Sequence, residues 1–288
     1  MSGCDPKRGF RWQGGLLAAD EPDPVGHERR QGRSPVLLVV DHAGRRVPRR
    51  LGRLGLEESA FDRHIAWDIG ALATARWLSE ALDAELIYQR YSRLVIDCNR
   101  PPHVPSAFVT RPDGVFVEGN TGIDANDAAM RVSEVFHPYH ATIAGALDRR
   151  AASRAATAIV AVHSFTPQHS DHPGPRPWQI GLLFNRDPRL ANALAPLLDA
   201  EGDVRVGMNE PYVLDDDGDY SIPIHAEARG LAHVELEIRQ DLITDEAGQR
   251  AWAMRLARVI PAALEGLGAP EEWSLQPMSG ELAEGDHG

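Results

Sequence analysis

Cysteine is nearly absent: Cys4 and Cys98 are the only two in 288 residues. Cys4 falls in a polar N-terminal stretch, so no structural disulfide is expected, and a thiolate metal site at zinc-finger spacing is excluded. Any metal must be held by histidine and carboxylate. Long apolar runs are missing too; none approaches the ~18 residues that a membrane span requires. Residues 9–33 are polar and rich in Gly, Pro and charge, without the apolar core of a secretory signal, so the cytoplasm is the expected location. A basic excess is also lacking. Thirty basic side chains against 42 acidic ones give a formal net charge of −12. That argues against nucleic acid as a partner, which needs a basic face, but not against a small anionic substrate, which responds to local charge. What remains is an ordinary globular composition, 43% hydrophobic and 25% charged, in a chain long enough for one large domain or two small ones. Nothing in it speaks to oligomeric state.

Residues 1–33 and 266–288 lack periodicity and read as disordered tails around a body at 34–265. Within the body, PVLLVV (35–40) is a continuous apolar run, as in a strand covered on both faces. A helix is expected over 58–82, with Phe61, Ile65, Leu72, Ala75 and Leu82 as its apolar stripe. Strands are expected at 84–88 and 94–96, then a helix over 126–155. AIVAV (158–162) and IGLLF (180–184) read as further buried strands, the second followed by a short helix at 188–198. A strand at 231–238 precedes a last helix, capped by Thr244, with Asp245 and Glu246 in its first turn. Buried strands alternating with helices predict an α/β sheet with helices on both faces. Ligands of such sheets collect beyond the strand C-termini.

Several motifs fall at those strand ends. Asp41-His42-Ala-Gly follows PVLLVV directly; the small residues allow close backbone approach, and His42 suits either a metal ligand or a hydrogen-bonding loop histidine. His163-Ser164 repeats that position after AIVAV, which raises the case for a shared metal site. Asp68 falls inside the apolar stripe of its expected helix, where a carboxylate is costly unless paired or metal-bound. It is a third ligand, a salt-bridge partner or a support for a histidine. His64, one turn away, reads as a structural histidine. In YSRLVIDCNR (91–100), Arg93 and Arg100 flank a strand and Asn99 adds an amide; an arginine fork binds carboxylates bidentately. In VELEIRQD (234–241), period-2 alternation puts Val234, Leu236 and Ile238 toward the core. Glu235, Glu237 and Arg239 share the other face, as a solvated edge or as a site. His137-Pro-Tyr-His140, Arg176-Pro-Trp178, Asn209-Glu-Pro-Tyr212 and His225-Ala-Glu-Ala-Arg229 could each line a pocket or serve structure.

Together these segments resemble the N-formylglutamate amidohydrolase family, in particular its predicted branch. The residues that carry the resemblance are DHAG (41–44), HIAWDIGA (64–71), YSRLVIDCNR (91–100), EGN (118–120), FHPYH (136–140), AVHSFTP (161–167), RPWQIGLL (176–183), NEPY (209–212), DYSIPIHAEARGL (219–231) and VELEIRQDL (234–242). They run through the body in family order. The family is in turn similar to the zinc carboxypeptidases and aspartoacylases, which implies a single domain with a mixed, mostly parallel sheet. In that group a His and an acid near the N-terminus and a later His-Ser motif hold the metal, an Asn-Arg pair grips the substrate carboxylate, and a Glu in an ELR-like strand end works on water. The same order here is His42, Asn99-Arg100, His163-Ser164 and Glu237. One departure stands out. The acid expected three residues after the first histidine is Arg45 here, so Asp68 is the substitute ligand, with Asp41 behind it.

The resemblance implies zinc or another divalent metal on His42, Asp68 and His163, with one position open for water. Glu237 would act as the base. Arg93, Asn99, Arg100, Arg239 and His225 form the expected substrate-binding set for a small anionic N-acyl amino acid such as N-formylglutamate. A carboxypeptidase- or deacylase-like amidase of another substrate is the alternative on the same site, and a non-catalytic binding protein is the alternative from another class.

Overall fold

The computed structural model describes residues 14–168, 174–268 and 273. In chain order the strands and helices are β1 (Val25–Glu28), β2 (Val36–Val40), α1 (Ala71–Leu82), β3 (Glu85–Gln89), α2 (Ala125–Arg131), α3 (His137–Ala152), β4 (Ala158–Phe165), β5 (Ile180–Leu183), α4 (Arg189–Asp199), β6 (Val206–Met208), β7 (Ala232–Arg239) and α5 (Glu246–Gly266). Short 3₁₀ and π turns connect them. The strands form one sheet in the order β1-β3-β2-β4-β7-β5-β6. β2, β3, β4 and β7 run parallel, while β1 joins β3 and β5 joins β7 antiparallel. The expected mixed, mostly parallel sheet is therefore present.

Its two faces carry different halves of the core. Val36, Leu38 and Val40 of β2 pack with Val160, Val234 and Leu236 under α1, α4 and α5. Leu37 and Val39 point the other way, with Ile159 and Ala161, onto Tyr139, Ile143 and Leu147 of α3. A parallel strand buried on both sides must be apolar without alternation, which is why β2 and β4 stand out in the sequence. Among the described residues no helix is long and apolar enough to cross a membrane.

Several sequence expectations are corrected here. The 58–82 helix is two pieces: a 3₁₀ turn at Glu58–Asp62 and α1, which starts only at Ala71. The stripe that suggested one helix serves two separate clusters. Phe61 and Ile65 pack with Leu54 and Leu94, whereas Ala75 and Leu78 lie under the sheet. Gly70 marks the break, at φ +82, with Ile243 O only 2.1 Å from where a Cβ would stand. Gly70→Ala is expected to cost about 2–4 kcal/mol, from the left-handed backbone and the clash together, measured by urea unfolding.

Residues 94–96 turn instead of forming a strand, because Leu94 and Val95 pack into different clusters. The 126–155 helix is interrupted by a π turn at Val132–Phe136, directly ahead of Pro138, whose ring cannot follow a regular helical turn. The cap of α5 is Asp245, accepting from Gly248 N, not Thr244. The N-terminal tail assignment fails within residues 14–33, since β1 pairs with β3; four half-polar residues on an edge leave no signal of their own. Beyond 265, Trp273 is buried and its carbonyl accepts from Arg189. Residues 1–13 and most of 269–288 lie outside the described residues.

Glu85 opens β3 with a buried carboxylate that accepts from His27 Nε2 (2.7 Å), Arg149 Nη2 (2.7 Å) and Arg150 Nε (3.2 Å). Burial works to raise its pKa, but His27 and Arg150 hold it below the usual glutamate value. A carboxyl depressed in the folded state stabilises above its unfolded pKa and loses that contribution as pH falls through the folded value. Glu85→Gln is expected to lower stability by about 2 kcal/mol at pH 7. The gap to wild type should narrow below about pH 4.5, read by denaturant titration at both pH values.

Candidate functional site

The site stands at the C-terminal ends of the three central parallel strands. β2 runs into Asp41 and His42, β4 ends with His163 and Ser164, and β7 carries Glu235 and Glu237. The β4–β7 register sets His163 beside Glu237. The alternation that sends Val160 and Leu236 under the helices sends His163, Glu235 and Glu237 to the opposite face. The three acidic or basic positions of VELEIR are thus no solvated edge, because β7 lies inside the sheet between β4 and β5.

Two loops complete the geometry. Asp68 N donates to His42 O (2.9 Å), and both Arg93 N and Ser92 Oγ donate to Ala66 O, so the turn before α1 is tied to the His42 loop. Gly44 lets the His42 loop also pass close to the backbone just after β3: a Cβ there would stand 1.9 Å from Arg90 O. Asp68 is buried as expected, though on a turn and not on a helix face.

His42, Asp68 and His163 converge and could hold a metal ion; one ligand atom from each lies within 4.8 Å of the others. Asp68 Oδ2 is 2.9 Å from His163 Nδ1 and 3.4 Å from His42 Nδ1. Each ring is held from behind at Nε2, His42 by Asp97 (2.6 Å) and His163 by Asp41 (3.0 Å). Carboxylates on the far nitrogens fix ring orientation and leave the two Nδ1 atoms facing one point. Burial favours a neutral His163, but Glu235, Asp41 and Asp68 together push its pKa well above the ordinary histidine value. Burial likewise opposes ionisation of Asp68, yet His42 and His163 hold it well below the carboxylate range. Asp41 is held at about 2 against its burial by His163, His42 and Ser221.

Glu237 differs. Burial pushes its pKa well up, and its Oε2 is a buried atom with no hydrogen-bond partner among the described residues. Its neighbour Glu235 is pushed by burial to about 7 and accepts from Asn99 Nδ2 (3.3 Å). These groups line a cavity of about 900 Å³ with His64, Arg93, Arg100, Tyr212, Asp219 and Gln240. Burial lowers the His64 pKa to about 4. Its Nδ1, 3.7 Å from Asp68 Oδ1, and Gln240 Oε1 also lack hydrogen-bond partners among the described residues, so three buried polar atoms of the cavity wall are without a hydrogen bond there, an arrangement that points to a ligand.

Of the expected substrate-binding residues, Arg93, Asn99 and Arg100 are in the cavity wall and two are not. Arg239 turns outward, its Nε donating to Asp241 (2.8 Å) and its Nη1 to the carbonyls of Arg176 and Trp178. The short reach to Asp241, two residues on at the strand exit, decides this. His225 lies behind the cavity wall against His140, Nε2 to Nδ1 2.9 Å. His140 Nε2 donates to Cys98 O (2.9 Å), so His140 Nδ1 accepts and His225 Nε2 donates. Burial holds both neutral, at about 3 for His140 and about 4 for His225. They are a packed structural pair.

Two residues with no sequence-based role prove central. Asp97 orients His42 and also accepts from Arg93 Nη2 (3.0 Å); its spacing of four from Arg93 was the available signal. Glu235 was visible only as the alternation partner of Glu237.

The family model for N-formylglutamate amidohydrolase matches residues 34–244. The N-formylglutamate deformylase of Pseudomonas aeruginosa is 28% identical over 130 residues, 42% of this chain and 48% of that protein. The Pseudomonas putida enzyme of the same name is 28% identical over 129 residues, 41% and 47% of the two chains. The chain thus spans about half the length of the curated relatives it matches. A gene product of Agrobacterium tumefaciens of known structure is 37% identical, with TM-score 0.85 over 88% of this chain and all of that one. The N-formylglutamate amidohydrolase structure from Ralstonia eutropha shares the fold at 18% identity, TM-score 0.62 over 85% of this chain and all of that one. With the family match extending over most of the chain and containing every strand end just described, the protein belongs to the N-formylglutamate amidohydrolase family.

Proposed function

We propose that this protein hydrolyses the amide bond of N-acyl, in particular N-formyl, amino acids with a divalent metal, zinc being the best fit. The observation that carries this reading is the meeting of His42, His163 and Asp68 beside the unpartnered carboxyl oxygen of Glu237. Two imidazoles and one carboxylate are the donor set of hydrolytic zinc sites, and each imidazole here has the supporting carboxylate such sites use. The curated relatives' names, N-formylglutamate deformylase, support the amide chemistry. A bound divalent cation supplies Lewis acidity to water and to the scissile carbonyl and favours the ionised form of Glu237.

The chain's own residues do the rest. Glu237 takes a proton from the attacking water as its oxygen bonds to the acyl carbon, and delivers it to the leaving nitrogen as the C–N bond breaks. The products are a carboxylate, formate for an N-formyl substrate, and the free amino acid. Arg100, its side chain 36% exposed into the cavity, receives the substrate carboxylate, with Asn99 beside it. Arg93 is engaged with Asp68 (3.3 Å) and Asp97 (3.0 Å) and positions those carboxylates.

The test is metal analysis of purified protein together with turnover of an N-formyl amino acid panel that includes N-formylglutamate. About one divalent ion per chain is expected, with activity lost on chelation and restored by zinc. Full turnover by metal-free protein would refute the reading.

A further inference from the structure

Arg100 receives one carboxylate of an N-acyl amino acid, and the same cavity holds a second guanidinium with donors to spare. Three arginines line the wall among the described residues: Arg63, Arg93 and Arg100. Arg93 gives both ends of its fork to buried carboxylates, Nη1 to Asp68 (3.3 Å) and Nη2 to Asp97 (3.0 Å). Arg100 is engaged through Nη1, by Gly218 O and Asp219. Arg63 is engaged through Nη2, by Asp113 Oδ2 (2.8 Å), which leaves the Nε and Nη1 edge of its fork open. The Arg63–Asp113 pair is an exposed one, its side chains 47% and 35% exposed, and ion pairs open to water are weak. Arg93 shows, in this very wall, that one guanidinium serves two carboxylates at once, as its planar fork allows.

The backbone under Arg63 is held while its side chain is not. Phe61 and Ile65 on either side pack with Leu54 and Leu94. Arg63 N donates to Ala60 O (3.2 Å), and Ala66 N donates to Arg63 O (3.1 Å). The next residue, His64, has its Nδ1 3.7 Å from Asp68 Oδ1, so the segment that carries Arg63 abuts the metal-binding group. The other cationic side chains nearby have other partners. His42 and His163 belong to that group. Arg239 is turned to Asp241, Arg176 lies between the Phe165 and Tyr212 rings, and neither lines the cavity.

We infer that Arg63 is the residue that reads the substrate's side chain: with the α-carboxylate on Arg100, it receives a side-chain carboxylate on its open edge while Asp113 keeps the other. This rests on the amide-hydrolase reading above. Arg63 then sets the margin by which an acidic side chain is preferred to its neutral isostere, because a hydrogen bond with charge on both partners is about twice as strong as a neutral one. Asp113 works against that margin, since it competes for the same guanidinium.

The experiment measures kcat/KM for N-formylglutamate and its neutral isostere N-formylglutamine on the zinc-loaded full chain, on Arg63→Gln and on Asp113→Asn. Wild type is expected to prefer the glutamate at least about tenfold, the size of one charged hydrogen bond, and Arg63→Gln to lose most of that preference. Asp113→Asn should raise it several-fold. No preference in wild type overturns the inference. So does a loss in Arg63→Gln that strikes both compounds equally, which is what a merely structural role would give. A preference that falls in Asp113→Asn as far as in Arg63→Gln also overturns it, because the loop and not the guanidinium would then be the cause. In each of these cases the amide-hydrolase reading stands. If neither compound is turned over, that reading falls, and calorimetric titration of wild type and Arg63→Gln with the same two compounds decides the inference. Tighter binding of the glutamate by wild type but not by Arg63→Gln upholds it; equal binding by wild type, or a preference kept without Arg63, overturns it.

Discussion

Glu237→Gln is expected to reduce kcat by about a hundred- to ten-thousand-fold, the usual contribution of a positioned acid–base group, while leaving the metal content of the protein unchanged. The substitution keeps the shape and removes the proton acceptor. Glu237 Oε2 has no hydrogen-bond partner to lose among the described residues. Glu237 is not in the group His42, Asp68 and His163, although with Glu235 it makes a second group around His163 that could hold an ion, so metal content is measured beside turnover. Steady-state kinetics beside elemental analysis decide the matter. A variant that keeps wild-type turnover, or one that loses its metal, removes Glu237 from the role of base. KM should move little, because the substrate carboxylate is assigned to Arg100 and not to Glu237.

His163→Ala is expected to lose both metal and stability. The ring is 2% exposed and sits between Asp41 and Asp68. Removing it takes from each of two buried carboxylates one of the partners that keep it ionised, leaving Asp68 with His42 and Arg93 and Asp41 with Ser221. Breaking a buried pair from one side costs about 3–5 kcal/mol, which for a chain of this size is a fall in Tm of roughly 10 °C. Thermal unfolding of metal-free wild type and variant isolates that contribution. Adding zinc should then raise the Tm of wild type and not of the variant, since a ligand stabilises only a folded state that binds it. A variant with unchanged Tm and full zinc binding would separate His163 from the site altogether.

The two expectations depend on different parts of the chain in different ways, and that difference explains what was legible beforehand. The central strands were visible because burial on both faces forbids polar residues, and the rule acts on consecutive positions. His42 and His163 were visible for the same reason: His163 is the first polar residue after such a run, and His42 the second, behind Asp41. Glu237 followed from period-2 alternation along β7. The edge strand β1 was invisible, since one covered face and four residues leave almost no pattern. The helix drawn through Asp68 was a false continuity, produced by Phe61 and Ile65 serving one cluster and Ala75 and Leu78 another.

The sequence by itself determined the sheet core, the placement of two histidines and a glutamate at its carboxyl ends, and the absence of any thiolate site. Only the tertiary structure decided which carboxylates meet those histidines. Asp68 reaches His42 across 26 residues and His163 across 95, and Asp41 reaches His163 across 122. It also decided that Asp97 supports His42, that Arg239 turns to Asp241 and that His225 packs behind the wall on His140. The physical reason is one of range. Burial is imposed on neighbouring residues by the element they share and so leaves a local pattern. The pairing of charges is a choice among groups brought together from distant segments, and nothing in the immediate sequence records which one wins.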